Sequence, residues 1–368
     1  MFSFPDSPES DPFARRPFLV FWELTRACAL SCQHCRAVAQ HQRHPEELST
    51  SEAFTLVNQL AELAPPMLIL TGGDPLMRRD VLAIAERASQ AGMRVGLSPA
   101  ATARLINYDF PAIRNAGIDR ISLSLDGATR QSHDSFRGIS GTFARTIEAI
   151  GLARAANLSL QINTTITAGN IHEFDLFKEL MLSLCPEMWS VFILVPTGRA
   201  GAKDIPPPDK LERIFEEMAD LTGKVPFSIK TTEGHHFRRV LLQKGKIGPG
   251  GRPGGRPGMR TPMGIRDGRG VMFISHTGDI CPSGFLPLVC GNTRRDHPAN
   301  VYRNHPLFVS LRDSDALGGK CGRCEFRYHC GGSRARAYGL TGDPFASDPS
   351  CPYQPGNPQP FSQPVYSL

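Results

Sequence analysis

Seven of the ten cysteines in this 368-residue chain fall into two tight sets, and their spacing is the first place to look for chemistry. Cys28-Ala29-Leu30-Ser31-Cys32-Gln33-His34-Cys35 sets three thiols as C-x3-C-x2-C on one loop. Three such thiolates bind three irons of a 4Fe–4S cube and leave the fourth iron open to a small chelating molecule. The same spacing also suits three of four zinc ligands, the last coming from elsewhere. The second set, Cys321, Cys324, Cys330 and Cys351, reads C-x2-C-x5-C-x20-C and carries enough thiolates to saturate a cube or a zinc ion. Clustered thiols in a reducing compartment serve as metal ligands or redox groups rather than disulfides. Cys281 and Cys290 are too few for a further all-cysteine cube. Cys281 reads as an assisted ligand, a substrate-side thiol or a small buried hydrophobe, and Cys185 as helix core.

A second motif, Thr71-Gly72-Gly73-Asp74-Pro75, closes a short apolar run. Paired glycines let the backbone approach a ligand closely, although in isolation the stretch is an ordinary turn.

These motifs need a frame, and the apolar pattern supplies one. Strands are expected over 18–24, 67–70, 94–97, 120–125, 159–165 and 190–195. Helices are expected over 50–63, 80–91, 108–116, 142–156, 171–184 and 208–221, the first announced by Ser49-Thr50-Ser51-Glu52. Strict alternation implies parallel strands joined by right-handed crossovers. Six units are too few for an eight-fold barrel, so the expected fold class is α/β, a partial (β/α)6 barrel with a small cysteine-rich C-terminal domain. Both motifs then stand at the C-terminal ends of strands, where ligand chemistry gathers in such folds. The expected organisation is an N-terminal arm over 1–17, the barrel over 18–225, a linker over 226–269, the cysteine-rich domain over 270–352 and a Pro-rich tail over 353–368. The linker holds a duplicated Gly-Gly-Arg-Pro-Gly, a boundary loop or alternatively a lid.

Composition narrows the class. With 40% hydrophobic and 21% charged residues, wholesale disorder is excluded. A net charge of +6 suits an acidic substrate or an acidic electron donor and does not call for nucleic acid. No apolar run approaches the roughly 18–20 residues of a membrane span. A soluble, cytoplasmic protein with neither membrane nor nucleic-acid partner is expected.

C-x3-C-x2-C after the first strand, with Gly-Gly-acid-Pro after the second, resembles the radical S-adenosylmethionine (SAM) superfamily. The resemblance implies that Cys28, Cys32 and Cys35 hold a 4Fe–4S cluster whose fourth iron chelates SAM. One electron then cleaves SAM to methionine and a 5′-deoxyadenosyl radical. It sets Gly72, Gly73 and Asp74 against the methionine amino group, Asp74 being one carbon shorter than the usual Glu. His34 holds the position beside the adenine. Ser124 and Asp126, at the end of strand four, are candidate SAM contacts or else turn and cap residues. Arg137 is a candidate for the SAM carboxylate, or a solvated charge, and Asn163 for the ribose. The second cysteine set resembles the SPASM/twitch extension of radical SAM maturases. It implies Cys321, Cys324, Cys330 and Cys351 around one auxiliary 4Fe–4S cluster, because Gly331-Gly332-Ser333-Arg334 stands where a fuller pattern has another cysteine.

Within the superfamily, the wording around Cys28, Asp74 and Arg334 looks most like the enzymes of alternative haem synthesis, which act on porphyrin propionates. Peptide-modifying maturases share nearly the same plan. The expected activity is hydrogen abstraction from a tetrapyrrole or peptide, with a flavodoxin or ferredoxin as electron donor. A non-enzymatic iron–sulfur or zinc protein is the alternative from another class. Arg252, Arg256, Arg260, Arg334 and Arg336 could meet substrate carboxylates or lie on the surface. His235, His236 and His276 could ligate a haem iron, an exposed loop being the alternative for the adjacent pair. No catalytic residue is assigned beyond the cluster site.

Overall fold

The computed structural model describes residues 11–247 and 264–356. Its strands are β1 (Leu19–Glu23), β2 (Met67–Thr71), β3 (Arg94–Leu97), β4 (Ile118–Ser124), β5 (Ser159–Ile166), β6 (Met188–Ile193), β7 (Ser228–Thr232), β8 (Val271–Ile274), β9 (Asp279–Cys281) and β10 (Gly291–Asn292). They form one sheet in the order β10-β9-β8-β1-β2-β3-β4-β5-β6-β7. Strands β1 to β7 pair in sequence order and parallel, and β8 returns parallel to β1 on its other edge. The two ends of the sheet do not pair with each other.

The crossover helices are α1 (Thr50–Leu63), α2 (Val81–Gln90), α3 (Ala103–Ile106), α4 (Phe110–Asn115), α5 (Arg130–Arg137), α6 (Thr142–Ala155), α7 (Phe174–Leu184), α8 (Pro208–Leu221) and α9 (His236–Gln243). Helix α1 starts where its sequence says it should: Ser49 accepts from the Glu52 N–H at 3.2 Å, and the Glu52 carboxylate accepts from the Ser49 N–H at 2.7 Å. Its buried face, Ala53, Leu56, Val57, Leu60 and Leu63, packs into the main core with Trp22, Leu68 and Leu70 of the sheet. Each large side chain so buried contributes about 1.5–3 kcal/mol.

The frame departs from expectation in several places. The expected linker over 226–269 contributes a seventh parallel unit, β7 and α9. Strand β7 reads Ser-Ile-Lys-Thr-Thr and is a half-buried edge strand, so its apolar signal is weak. Helix α5 is polar along Arg-Gln-Ser-His-Asp-Ser-Phe-Arg and is held by the reciprocal Thr129–Ser132 cap. The C-terminal region adds α10 (Pro298–Asn304), α11 (Pro306–Arg312), α12 (Gly319–Gly322) and α13 (Arg334–Thr341), and shares the main sheet through β8. Residues 11–17 of the expected arm are tied down: Phe13 is buried against Ile265 and Val271, and Asp11 pairs with Arg269 at 3.1 Å. Cys185 is exposed rather than core, because it caps α7 in the left-handed conformation, φ 42°. The Gly/Pro/Arg repeat from 248 onward, with Arg252, Arg256 and Arg260, and the tail from 357 lie outside the described residues.

Candidate active site

The three cysteines of the first set come together in one buried pocket. Cys28 and Cys32 pack with Leu30, against Cys35, Ala39 and Ala100. Their sulfurs already accept N–H groups: Leu30 N donates to Cys28 Sγ and Ala39 N to Cys35 Sγ, each at 3.4 Å, and Arg137 Nη1 to Cys32 Sγ at 3.6 Å. Burial, with Asp74 and the other two cysteines nearby, pushes the Cys28 thiol up to about 12. N–H donors aimed at sulfurs are what a thiolate-held cluster requires. The residues fit the group.

The glycine turn after β2 is built against this loop. Gly73 N donates to Thr25 O and Asp74 N to Ala27 O, both at 2.7 Å, immediately before Cys28. A Cβ on Gly73 would stand 2.6 Å from both Arg26 O and Ala27 O, so no larger residue fits this approach. The Asp74 carboxyl is buried, accepts from Leu76 N at 3.1 Å and Ala100 N at 3.4 Å, and is raised to about 6 by desolvation.

Across the loop lies a cavity of about 1040 Å³ of empty space, open mouth included, lined in part by His34, Asp126, Phe136, Asn170 and Arg199. The His34 ring packs on Phe136 at 4.3 Å, and burial holds its pKa down to about 4, so its imidazole is neutral at neutral pH. Arg137 forms a close ion pair with Asp126, whose other oxygen accepts from Thr165 N at 2.6 Å. Burial would raise the Asp126 carboxyl, but Arg137, His34 and His133 together lower it. Arg137 is therefore neither solvated nor free, its two terminal nitrogens being taken by Asp126 and Cys32. Ser124 and Asn163 face each other across β4 and β5, both half-buried, with Gln161 donating to Asn163 Oδ1 at 2.7 Å.

Two supports went unread in the sequence. Arg199, after β6, donates to Cys32 O at 3.2 Å and Ala39 O at 2.7 Å, tying the middle of the cysteine loop to the segment that follows it. Glu23, at the end of β1, accepts from Arg36 Nη2 at 2.9 Å, bonds His276 Nδ1 at 2.9 Å and accepts from Arg26 Nε at 3.3 Å. Burial opposes its ionisation, yet Arg36 and the His276 hydrogen bond bring it down to about 2. A lone acid at a strand end gives no pattern, and its partner His276 lies 253 residues along the chain.

The second set lines its own cavity of about 360 Å³ of empty space, open mouth included, with Cys321, Cys324, Cys330 and Cys351 in its wall. Gly332 N donates to Cys330 Sγ and Asp348 N to Cys321 Sγ, both at 3.4 Å. Burial pushes Cys324 up to about 12 and Cys351 to about 11. Among the described residues no three His, Cys, Asp or Glu side chains converge tightly enough for a single metal ion. Four thiols in the wall of one cavity are a donor set for a cube of irons and sulfides or for a zinc ion.

The surface placements expected for two arginines and two histidines are corrected, whereas Cys281 is buried, in keeping with one of its expected readings. Arg334 and Arg336 are fully buried, not surface charges, and Arg336 pairs with Asp348 at 2.8 Å. His235 and His236 are buried rather than on an exposed loop; His236 Nε2 bonds Asp348 at 3.0 Å, and His276 is engaged by Glu23. Cys281 is buried on β9 as a small hydrophobe.

The profile described as Radical SAM superfamily matches residues 22–182. The AdoMet-dependent heme synthase of Nitratidesulfovibrio vulgaris is 38% identical over 346 residues, covering 92% of both chains. That of Methanosarcina barkeri is 38% identical over 346 residues, covering 92% of this chain and 97% of the relative. Among solved structures, SuiB of Streptococcus suis bound to S-adenosylmethionine superposes with a TM-score of 0.69 at 16% identity, over 92% of this chain and 78% of that one. At that identity the likeness speaks for the fold.

Proposed function

This chain belongs to the radical SAM superfamily, and from that premise we propose that its substrate is an iron porphyrin and its target a propionate side chain. The chain is thus a radical SAM enzyme of the parallel α/β fold. The observation that carries the substrate is 38% identity over 346 residues, 92% of this chain, to a protein named AdoMet-dependent heme synthase. In this reading Cys28, Cys32 and Cys35 would hold the 4Fe–4S cluster. Gly72, Gly73, Asp74, His34, Ser124, Asp126, Arg137 and Asn163 would surround SAM. Cys321, Cys324, Cys330 and Cys351 would hold one auxiliary 4Fe–4S cluster.

When bound, the first cluster and SAM supply the 5′-deoxyadenosyl radical. The protein's own part is to hold and exclude. Arg137 and Asp126 form a charged wall beside Cys32, His34 presents a neutral ring, and Arg199 fixes the loop from the opposite side. Loss of a hydrogen atom from the propionate, cleavage of its C–carboxylate bond and departure of carbon dioxide leave a double bond and one electron. That electron requires a one-electron acceptor, for which the second cysteine set is the candidate holder. A flavodoxin or ferredoxin would supply the low-potential electron, its acidic face matching the net charge of +6, and the protein would act in the cytoplasm. Among the described residues no helix is long and apolar enough to cross a membrane.

The test is to supply anaerobically reconstituted protein with SAM, dithionite and an iron porphyrin bearing propionates, and to follow both 5′-deoxyadenosine and porphyrin mass. Decarboxylated porphyrin formed with 5′-deoxyadenosine is the expected result. Cleavage of SAM with unchanged porphyrin would overturn the substrate.

A further inference from the structure

Two arginines beside the second cysteine set are buried with no carboxylate on their guanidinium groups, although the backbone N–H of Arg334 donates to Asp267 at 3.1 Å. Arg334 is 0% exposed. It donates to Pro344 O at 3.1 Å, to Ala346 O at 2.7 Å and, from Nη2, to Cys321 Sγ at 3.7 Å. Arg266 is 1% exposed, donates from Nη2 to Leu311 O at 3.2 Å and Ser314 Oγ at 3.0 Å, and has Nε and Nη1 buried with no partner. Among the described residues neither forms an ion pair with an acid, whereas their neighbour Arg336 is matched by Asp348. A buried guanidinium without a counter-ion carries a desolvation cost that carbonyl hydrogen bonds offset only in part.

Both reach the same turn. A Cβ on Gly331 would lie 3.1 Å from Arg266 Nη1, and one on Gly332 would lie 2.5 Å from Arg334 Nη2 and 3.4 Å from Cys321 Sγ. Gly332 adopts φ +66°, so the turn brings the cation to the sulfur only with glycine there. Gly331 and Gly332 also line the four-cysteine cavity.

We propose that Arg266 and Arg334 are the built-in counter-cations of the group held by Cys321, Cys324, Cys330 and Cys351, and that they raise its reduction potential. The inference rests on the reading that this group is an auxiliary 4Fe–4S cluster. A cube held by four thiolates is already negative, and reduction adds one more negative charge. Fixed positive charges in a dry setting favour the reduced form, and a charged N–H donor to a ligand sulfur acts in the same direction. Arg334 acts through the Cys321 thiolate and Arg266 through its charge behind the Gly331 turn, so both are tuning residues.

The experiment is an EPR-monitored redox titration of the full chain carrying Cys28→Ala, Cys32→Ala and Cys35→Ala, so that only the second site is loaded. Folding is checked by circular dichroism and loading by iron content. Arg334→Met and Arg266→Met should each lower the midpoint, so that the reduced-to-oxidised ratio at a fixed potential falls at least tenfold, about 59 mV for one electron. Arg334→Lys keeps the charge and should retain most of the parent midpoint. A folded Met variant that loads no iron while Arg334→Lys loads fully also supports the counter-cation role; equal loss in the lysine variant overturns it. If Arg334→Met does not fold, Arg266→Met decides. Unchanged midpoints in loaded Met variants overturn the proposal. A parent that binds zinc, or gives no iron–sulfur signal, overturns the auxiliary-cluster reading instead.

Discussion

Arg137 donates to the sulfur of Cys32 across 3.6 Å while its other terminal nitrogen pairs with Asp126. One side chain from α5 thereby joins the cysteine loop to the end of β4. Arg137→Met leaves the buried Asp126 without its cation and should cost about 3–5 kcal/mol in denaturant unfolding of the iron-free protein. Adding Asp126→Asn to that variant should recover at least about 1 kcal/mol. Strictly additive losses would show that the pair does not act as a unit.

Gly73→Ala puts a methyl group 2.6 Å from two backbone oxygens of the cysteine loop. Backbone has nowhere to retreat, so the variant should lose about 1–3 kcal/mol and SAM cleavage together. Gly92, whose added Cβ meets nothing within 4 Å, is the control for packing. Its alanine variant should keep full SAM cleavage, even where its φ of +87° lowers the melting temperature.

Replacing Cys28, Cys32 and Cys35 by alanine should abolish 5′-deoxyadenosine formation and remove about four irons per chain, leaving the second set loaded. Cys324→Ala should leave uncoupled SAM cleavage intact and stop product formation. Continued cleavage in the first variant, or full turnover in the second, sinks the corresponding assignment.

Glu23 carries a pH signature. Its carboxyl titrates near 4.5 in the unfolded chain and about 2 in the folded one, so the folded state favours the ionised form. The stabilisation is full above pH 4.5 and is lost as pH falls towards 2. It amounts to about 3 kcal/mol on the scale of 1.36 kcal/mol per unit. Unfolding of Glu23→Gln and the parent should therefore differ most at neutral pH and converge near pH 2. A difference that stays constant with pH contradicts the ion-pair account.

Strands β1 to β6 could be read from the sequence because each carries buried apolar side chains, such as Leu160 and Ile162 in β5, and α1 because its cap is local. Where the signal failed, the cause was physical. Strand β7 lies at a half-wet edge and needs no apolar stripe. Helix α5 takes its stability from a cap and from Arg137 rather than from an apolar face. The grouping of the cysteines could be read because their spacing is local, and the place of His34 and Asp126 on one cavity because each follows a landmark. Arg199, Glu23 through His276 and Asp348 through His236 have partners far along the chain, and spacing carries no trace of such pairings. Arg334 and Arg336 misled because arginine in a polar stretch usually lies in water, whereas here a sulfur and a buried aspartate receive them.

The position of β1 between β2 and β8 imposes an order on biosynthesis. A nascent chain that has reached the end of β7 has every other parallel strand in hand, yet one edge of β1 still lacks a partner. An open edge of this kind, Leu-Val-Phe-Trp in sequence, is a template for unwanted pairing. Val271–Ile274 closes it, and two residues later His276 arrives at Glu23 behind the cysteine loop. Completion of the iron-binding cradle is thus a late event of translation. Ribosome-bound fragments ending before residue 271 expose a sticky strand, and such intermediates are natural clients for chaperones.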